Sequence, residues 1–64
     1  MNEIIYNINE QIKIRQDKQL FYAGYYAIIR KMEKGYFNLE ILGITDGLNM
    51  PFIIWLHCLD VEKI

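Results

Sequence analysis

Tyr26-Ala27-Ile28-Ile29-Arg30-Lys31-Met32-Glu33-Lys34-Gly35-Tyr36-Phe37-Asn38-Leu39-Glu40-Ile41-Leu42 is the stretch whose reading decides between helix and sheet. Glu33-Lys34-Gly35 has the composition of a three-residue hairpin loop, with glycine supplying the left-handed position. Beyond it, Tyr36 to Leu42 alternates apolar and polar residues, the period of a half-buried strand. The residues before the loop, Leu20 to Met32, are apolar and aromatic. A helix from an Asp17 cap to a Gly35 terminator competes for them. Gly24, the tyrosines 22, 25 and 26, and the Ile28-Ile29 pair all suit a strand better.

The register of this hairpin follows from what it buries. A three-residue loop sets Met32 by Tyr36, Arg30 by Asn38, Ile28 by Glu40 and Tyr26 by Leu42. The opposite face then carries Lys31 by Phe37, Ile29 by Leu39 and Ala27 by Ile41, a core face with lysine at its rim. A two-residue loop would place Arg30 among Met32, Phe37 and Leu39. A slip of one residue exchanges the faces, and an unpaired buried arginine is costly. The three-residue loop is therefore expected.

Working outward, Ile4, Tyr6, Ile8, Ile12 and Ile14 fall on every second position, interrupted only at Glu10. This predicts a strand over residues 3–15. A helix capped by Asn2 would gather Ile4, Ile5, Ile8 and Ile12 but leave Tyr6 and Ile14 on its polar side. Gln16-Asp17-Lys18-Gln19 reads as a turn. Gly43 to Pro51 is a connector containing the turn dipeptide Asp46-Gly47. Phe52 to Leu59 is apolar on both faces, so it is covered on both sides or meets a partner on one. Asp60 to Ile64 could form one helical turn.

The expected fold is all-β: a small antiparallel barrel, or a strongly bent four-to-five-stranded sheet, with a short C-terminal helical turn. The alternative is α+β, with an N-terminal helix packed on a β-hairpin. Src-homology-3-like and oligonucleotide-binding barrels share such strand counts and loop lengths, but architecture alone does not deliver function.

Length and composition narrow the chemistry. At 64 residues the chain is one domain, 1–64. A fold of this size buries only roughly 60% of its unfolded surface. One cysteine, Cys58, precludes an intrachain disulfide, and one histidine, His57, precludes a two-Cys, two-His zinc site within one chain. Serine is absent and no Gly-Lys pair occurs, which removes a serine nucleophile and a phosphate loop ending in Lys-Ser/Thr. An apolar content of 53% is generous for so small an interior, so part of it is expected to face another chain.

Net charge is −1, against the basic excess usual in nucleic-acid binders. No apolar run approaches the roughly 20 residues of a membrane span. Met1-Asn2-Glu3 lacks the positive region of a secretory signal, and a lone cysteine suits a reducing compartment. A cytoplasmic location without membrane contact is the expectation. Twelve isoleucines, five asparagines and five lysines beside two arginines suggest an AT-rich coding sequence, such as that of a low-GC bacterium or its phages.

No constellation points to catalysis, a cofactor or a metal. His57 and Cys58 are neighbours, and on a strand they would point to opposite faces. The carboxylates are scattered, with only Asp60 and Glu62 closely spaced. Asp46-Gly47-Leu48-Asn49 lacks the alternating ligands of a calcium loop. The chain therefore reads as a non-enzymatic binding protein that occupies a surface of another protein, for instance a phage- or host-encoded inhibitor, and that forms homo-oligomers.

Its partner-binding residues would be Tyr26, Ile28, Arg30, Met32, Tyr36 and Leu42 on the mixed hairpin face, with Trp55 on the doubly apolar strand. Tyrosine, methionine, tryptophan and arginine are types enriched at interfaces. Coverage of this face by residues 3–15 is the competing expectation. The alternative function is a barrel binding single-stranded nucleic acid through Tyr25, Arg30, Lys31 and Lys34. A small-ligand or metal site between subunits, with copies of His57 converging, is a third.

Overall fold

The computed structural model describes residues 4–17, 21–45 and 47–64. It is all-β. Five strands, β1 (Gln11–Ile14), β2 (Tyr26–Glu33), β3 (Tyr36–Thr45), β4 (Pro51–His57) and β5 (Val61–Lys63), form one antiparallel sheet in the order β4-β3-β2-β1-β5. A 3-10 turn, Cys58–Asp60, links β4 to β5. No helix among the described residues is long and apolar enough to cross a membrane.

The sheet must curl. Four steps of chain from His57 to Val61 reach at most about 14 Å, whereas a flat five-stranded sheet holds its outer strands about 19 Å apart. The short link therefore draws the two edges together at that end. Arg15 N–H donates to the Asp60 carbonyl at 3.0 Å and Cys58 N–H to the Gly35 carbonyl at 2.9 Å, fastening the link to both sides. No ladder joins β4 to β5, so the sheet is not closed into a barrel.

The inside of the curl is the core. Ile12 lies opposite Ala27, Ala27 opposite Ile41, and Ile41 opposite Phe52, so one row of apolar residues crosses four strands. A second row runs Ile29, Leu39, Ile54, and Val61 completes the outer end opposite Ile14. Ile12, Ile14, Ile29 and Leu39 are wholly buried, and the core contains no buried polar side chain among the described residues. Each such side chain contributes roughly 1.5–3 kcal/mol relative to exposure. Tyr6 packs edge-on against Phe37 with ring centroids 5.1 Å apart, and Tyr22 tilts against Phe52 at 5.3 Å.

Several local expectations need correction. Residues 4–10 form neither a strand nor the alternative helix; only Gln11–Ile14 is a strand. The pattern breaks at Glu10 because Asn9 takes φ +71° and Asn7 N–H bonds the Glu10 carboxylate at 2.9 Å, making a turn. Strand β2 starts at Tyr26, because residues 21–24 turn around Gly24 at φ +86°. The expected connector gives up Gly43 to Thr45 to β3, with a register shift between Ile41 and Thr45. The predicted helical turn at 60–64 falls instead at Cys58–Asp60, and Val61–Lys63 becomes a strand because β1 offers it an open edge. Lys18, Gln19, Leu20 and Asp46, to which turn and strand roles were also assigned, lie outside the described residues.

The hairpin combines both candidate registers. Ala27, Ile28 and Ile29 face Ile41, Glu40 and Leu39, as the three-residue loop requires. Nearer the tip, Lys31, Met32 and Glu33 face Asn38, Phe37 and Tyr36, the two-residue register, with Lys34-Gly35 as the turn. A bulge at Arg30 absorbs the difference. An extra residue on one strand lets two side chains oppose a single partner. Arg30 thus escapes the core without sacrificing the tight turn.

Candidate protein-binding face

The outside of the curl carries the alternate residues of every strand. Directly opposed residues of antiparallel strands share a face, so its rows can be read across the sheet. One is Gln11, Ile28, Glu40, Ile53; another is Lys31, Asn38, Trp55; a third is Glu33, Tyr36, His57. Lys13 opposes Tyr26, with its ammonium 5.9 Å from the ring centroid. Tyr36 and His57 meet edge-to-face at 5.1 Å. Tyr26, Tyr36, Ile53 and Trp55 are 45%, 49%, 46% and 48% exposed. Large apolar surface of this kind, set among polar groups, marks interaction sites.

Arg30 organises the centre. Its Nε and Nη2 donate to Glu40 Oε1 at 2.9 and 2.7 Å, and its Nη1 donates to Asn9 Oδ1 at 2.9 Å. The guanidinium is therefore fixed and its charge matched, leaving aromatic and aliphatic groups around a polar pivot. Glu33, Lys34, Tyr36 and Trp55 line an open notch of about 310 Å³. Tyr26 and Leu42 line a second depression of about 440 Å³ with Gln11, Gln16 and Gly24.

All seven proposed partner-binding residues lie outside the core, and six of them lie on or beside the outer face. Tyr26, Ile28, Tyr36 and Trp55 are set on this face by their pairing, Arg30 reaches it from the bulge through its hydrogen bonds to Glu40, and Leu42 lines the depression beside Tyr26. Met32 does not join them. The bulge turns it towards Phe37, where it lines a groove of about 540 Å³ with Ile4, Tyr6, Cys58, Leu59 and Val61. Lys31 makes the opposite exchange and joins the face beside Asn38. Ile53 belongs to the face too; its place in the doubly apolar strand was the signal for it.

Of residues 4–10, Asn9 reaches this face through Arg30, and the segment leaves Tyr26, Tyr36, Ile53 and Trp55 exposed. Tyr6 packs on Phe37, on the core side, and Lys63 Nζ holds that segment through the Ile5 carbonyl and, at 3.0 Å, the Glu10 carboxylate. That hydrogen bond lowers the Glu10 pKa below the ordinary carboxylate value. Burial raises the Tyr6 phenol above its ordinary value, against a lesser opposing effect of Lys63.

The residues of the nucleic-acid alternative are spread out. Tyr25 precedes β2 and Lys34 sits in the turn beyond its other end, nine residues on, which is about 30 Å of extended chain. His57 and Cys58 are arranged differently from the strand expectation. The strand ends at His57, and Cys58 Sγ lies 3.9 Å from His57 Nδ1. That nitrogen accepts the Leu59 N–H at 3.1 Å, so it caps the 3-10 turn. No group of three His, Cys, Asp or Glu side chains among the described residues is placed to hold a metal ion. No family model, curated protein or solved structure matches this chain.

Proposed function

We propose that this chain is a non-enzymatic binding protein that occupies a surface of another protein through the outer face of its sheet, and that it associates with copies of itself. An inhibitor encoded by a phage or its host would fit this description. The observation that carries the reading is the exposed set Tyr26, Tyr36, Ile53 and Trp55 around the fixed Arg30–Glu40 pair. Aromatic anchors around an ordered arginine are the composition of interface hot spots. We further read the curl as a small barrel left open between β4 and β5.

The test compares the wild-type chain with Tyr36→Asp and Trp55→Asp as baits at low and high salt. A protein retained by the wild type at both salts and lost by both variants supports the reading. Retention by both folded variants overturns it. Capture of oligonucleotide that weakens steeply with salt would favour the nucleic-acid alternative instead. Its basic element is weakened by the pairing of Arg30 with Glu40.

A further inference from the structure

The two edges of the sheet are unlike. β5 is three residues long, contains Glu62 and Lys63, and its lysine is engaged with Glu10 and the Ile5 carbonyl. β4 is seven residues long and, among the described residues, pairs only with β3. No Asp, Glu, Lys or Arg occurs from Gly47 to Leu59. Charge, brevity and cover are the devices that keep an edge strand from pairing with another chain. Among the described residues β5 has all three, and β4 has none of the three, carrying only Pro51 at its first position.

The orientation of the free groups follows from the ladder. Cys58 N–H donates to Gly35 C=O, on the same register that pairs Tyr36 with His57 and Leu39 with Ile54. Hydrogen-bonded and non-hydrogen-bonded pairs alternate along an antiparallel ladder. Phe52, Ile54 and Leu56 therefore turn their N–H and C=O towards β3. Ile53 and Trp55 turn theirs outward, into the open edge. Pro51 faces the same way and has no N–H to offer.

We infer that β4 pairs antiparallel with β4 of a second copy about a two-fold axis at Ile54, joining the two curled sheets edge to edge. This rests on the proposed self-association and names its geometry. The axis at Ile54 is the one that overlaps all seven residues. It sets Ile53 against Trp55 of the second copy, so four outward N–H groups meet four outward carbonyls. Pro51 falls opposite His57 of the second copy, where its missing donor affects only the end of the ladder. An uncharged strand meets its own copy without like-charge cost. The antiparallel sense also carries each Asp60 away from its equivalent, whereas a parallel sense would bring the two carboxylates together. A two-fold contact uses the same edge on both subunits and stops at a dimer. The outer faces then become one surface bearing two Tyr36–Trp55 notches.

Light scattering over a concentration series reads the mass, with Ile53→Pro as the edge-blocking variant. Proline is tolerated on an edge strand where the N–H points outward. A dimeric wild type with a folded, monomeric Ile53→Pro is the expected result. A wild type that stays monomeric, or a folded Ile53→Pro that stays dimeric, overturns the pairing. Cross-linking keeps the test decisive if that variant does not fold. In a Cys58→Ala background, Ile54→Cys would place two sulfurs across a non-hydrogen-bonded pair with Cα atoms about 4.5 Å apart, inside the disulfide range. With a thiol oxidant such as diamide added, near-complete disulfide-linked dimer is expected from Ile54→Cys and at least tenfold less from Ile53→Cys; equal yields overturn the register. A dimer dissolved by Tyr36→Asp but not by Ile53→Pro would overturn the edge pairing and leave the face reading standing. A dimer that depends on the edge, with partner capture indifferent to Tyr36→Asp, would do the reverse.

Discussion

The inner and outer faces of this sheet contain many of the same residue types in different circumstances. Ile12, Ile29, Leu39 and Ile41 are sealed inside the curl, while Tyr26, Tyr36, Ile53 and Trp55 stand about half exposed outside it. Apolar character therefore does not assign a face in this protein. Curvature does, because a single sheet can enclose only its inner side. The outer rows of β1, β2 and β3 are diluted with Gln11, Lys13, Arg30, Asn38 and Glu40, as solvent requires. The outer row of β4 has only His57 as a polar member, at its end, which sets that strand apart.

The comparison breaks most sharply at the core. Leu39→Ala is expected to cost about 2–5 kcal/mol, against a total of roughly 3–10 kcal/mol for a chain of this length. Urea denaturation should show a midpoint lowered by a large fraction of the wild-type value. Trp55→Asp, on the outer face, should change folding stability by no more than about 1 kcal/mol while weakening partner binding by about 2 kcal/mol or more. Titration of the captured partner against both forms measures that difference. If Trp55→Asp unfolds the chain, the two faces are not energetically distinct.

Arg30→Ala is a smaller perturbation, because the guanidinium and Glu40 are both in reach of water. It should cost about 0.5–1 kcal/mol and release the turn at Asn9, seen as faster amide exchange at Asn9, whose N–H donates to the Ile29 carbonyl. Arg30→Lys should not restore the full effect, since one ammonium cannot reproduce the fork that engages Glu40 and Asn9.

The smallest expected effect concerns Glu10. Its pKa is lower in the folded chain, chiefly through the hydrogen bond from Lys63. Its contribution is therefore fully present above the ordinary carboxylate range and is lost as pH falls through the folded value. Thermal midpoints measured from neutral to acid pH should drop more in the wild type than in Glu10→Gln. Equal slopes would mean that the Lys63 tie does not stabilise residues 4–10.

Much of the inner face was legible locally. Ile29 against Leu39 and Ala27 against Ile41 followed from avoiding a buried arginine, and all four are buried. The exchange of Met32 and Lys31 between faces was not legible. A tight turn favours one register and Arg30 the other, and neither could win along the whole hairpin. The bulge that satisfies both places Arg30 on Glu40 and on Asn9, 21 residues away in sequence. The end of β4 was missed for a related reason. Its apolar run continues to Leu59, but the His57 ring accepts the Leu59 N–H and caps a 3-10 turn, so the chain turns there.

By itself the sequence favoured an all-β chain over the α+β alternative and determined the central hairpin and the pairing of Ala27, Ile28 and Ile29 with Ile41, Glu40 and Leu39, because those depend on short-range propensity and period. In β4, apolar on both sides, which row is sealed and which is left to solvent was decided only by the tertiary structure. That choice depends on the direction of curl, set by a three-residue link between the outer strands and by hydrogen bonds such as Cys58–Gly35 and Arg15–Asp60 between residues distant in the chain.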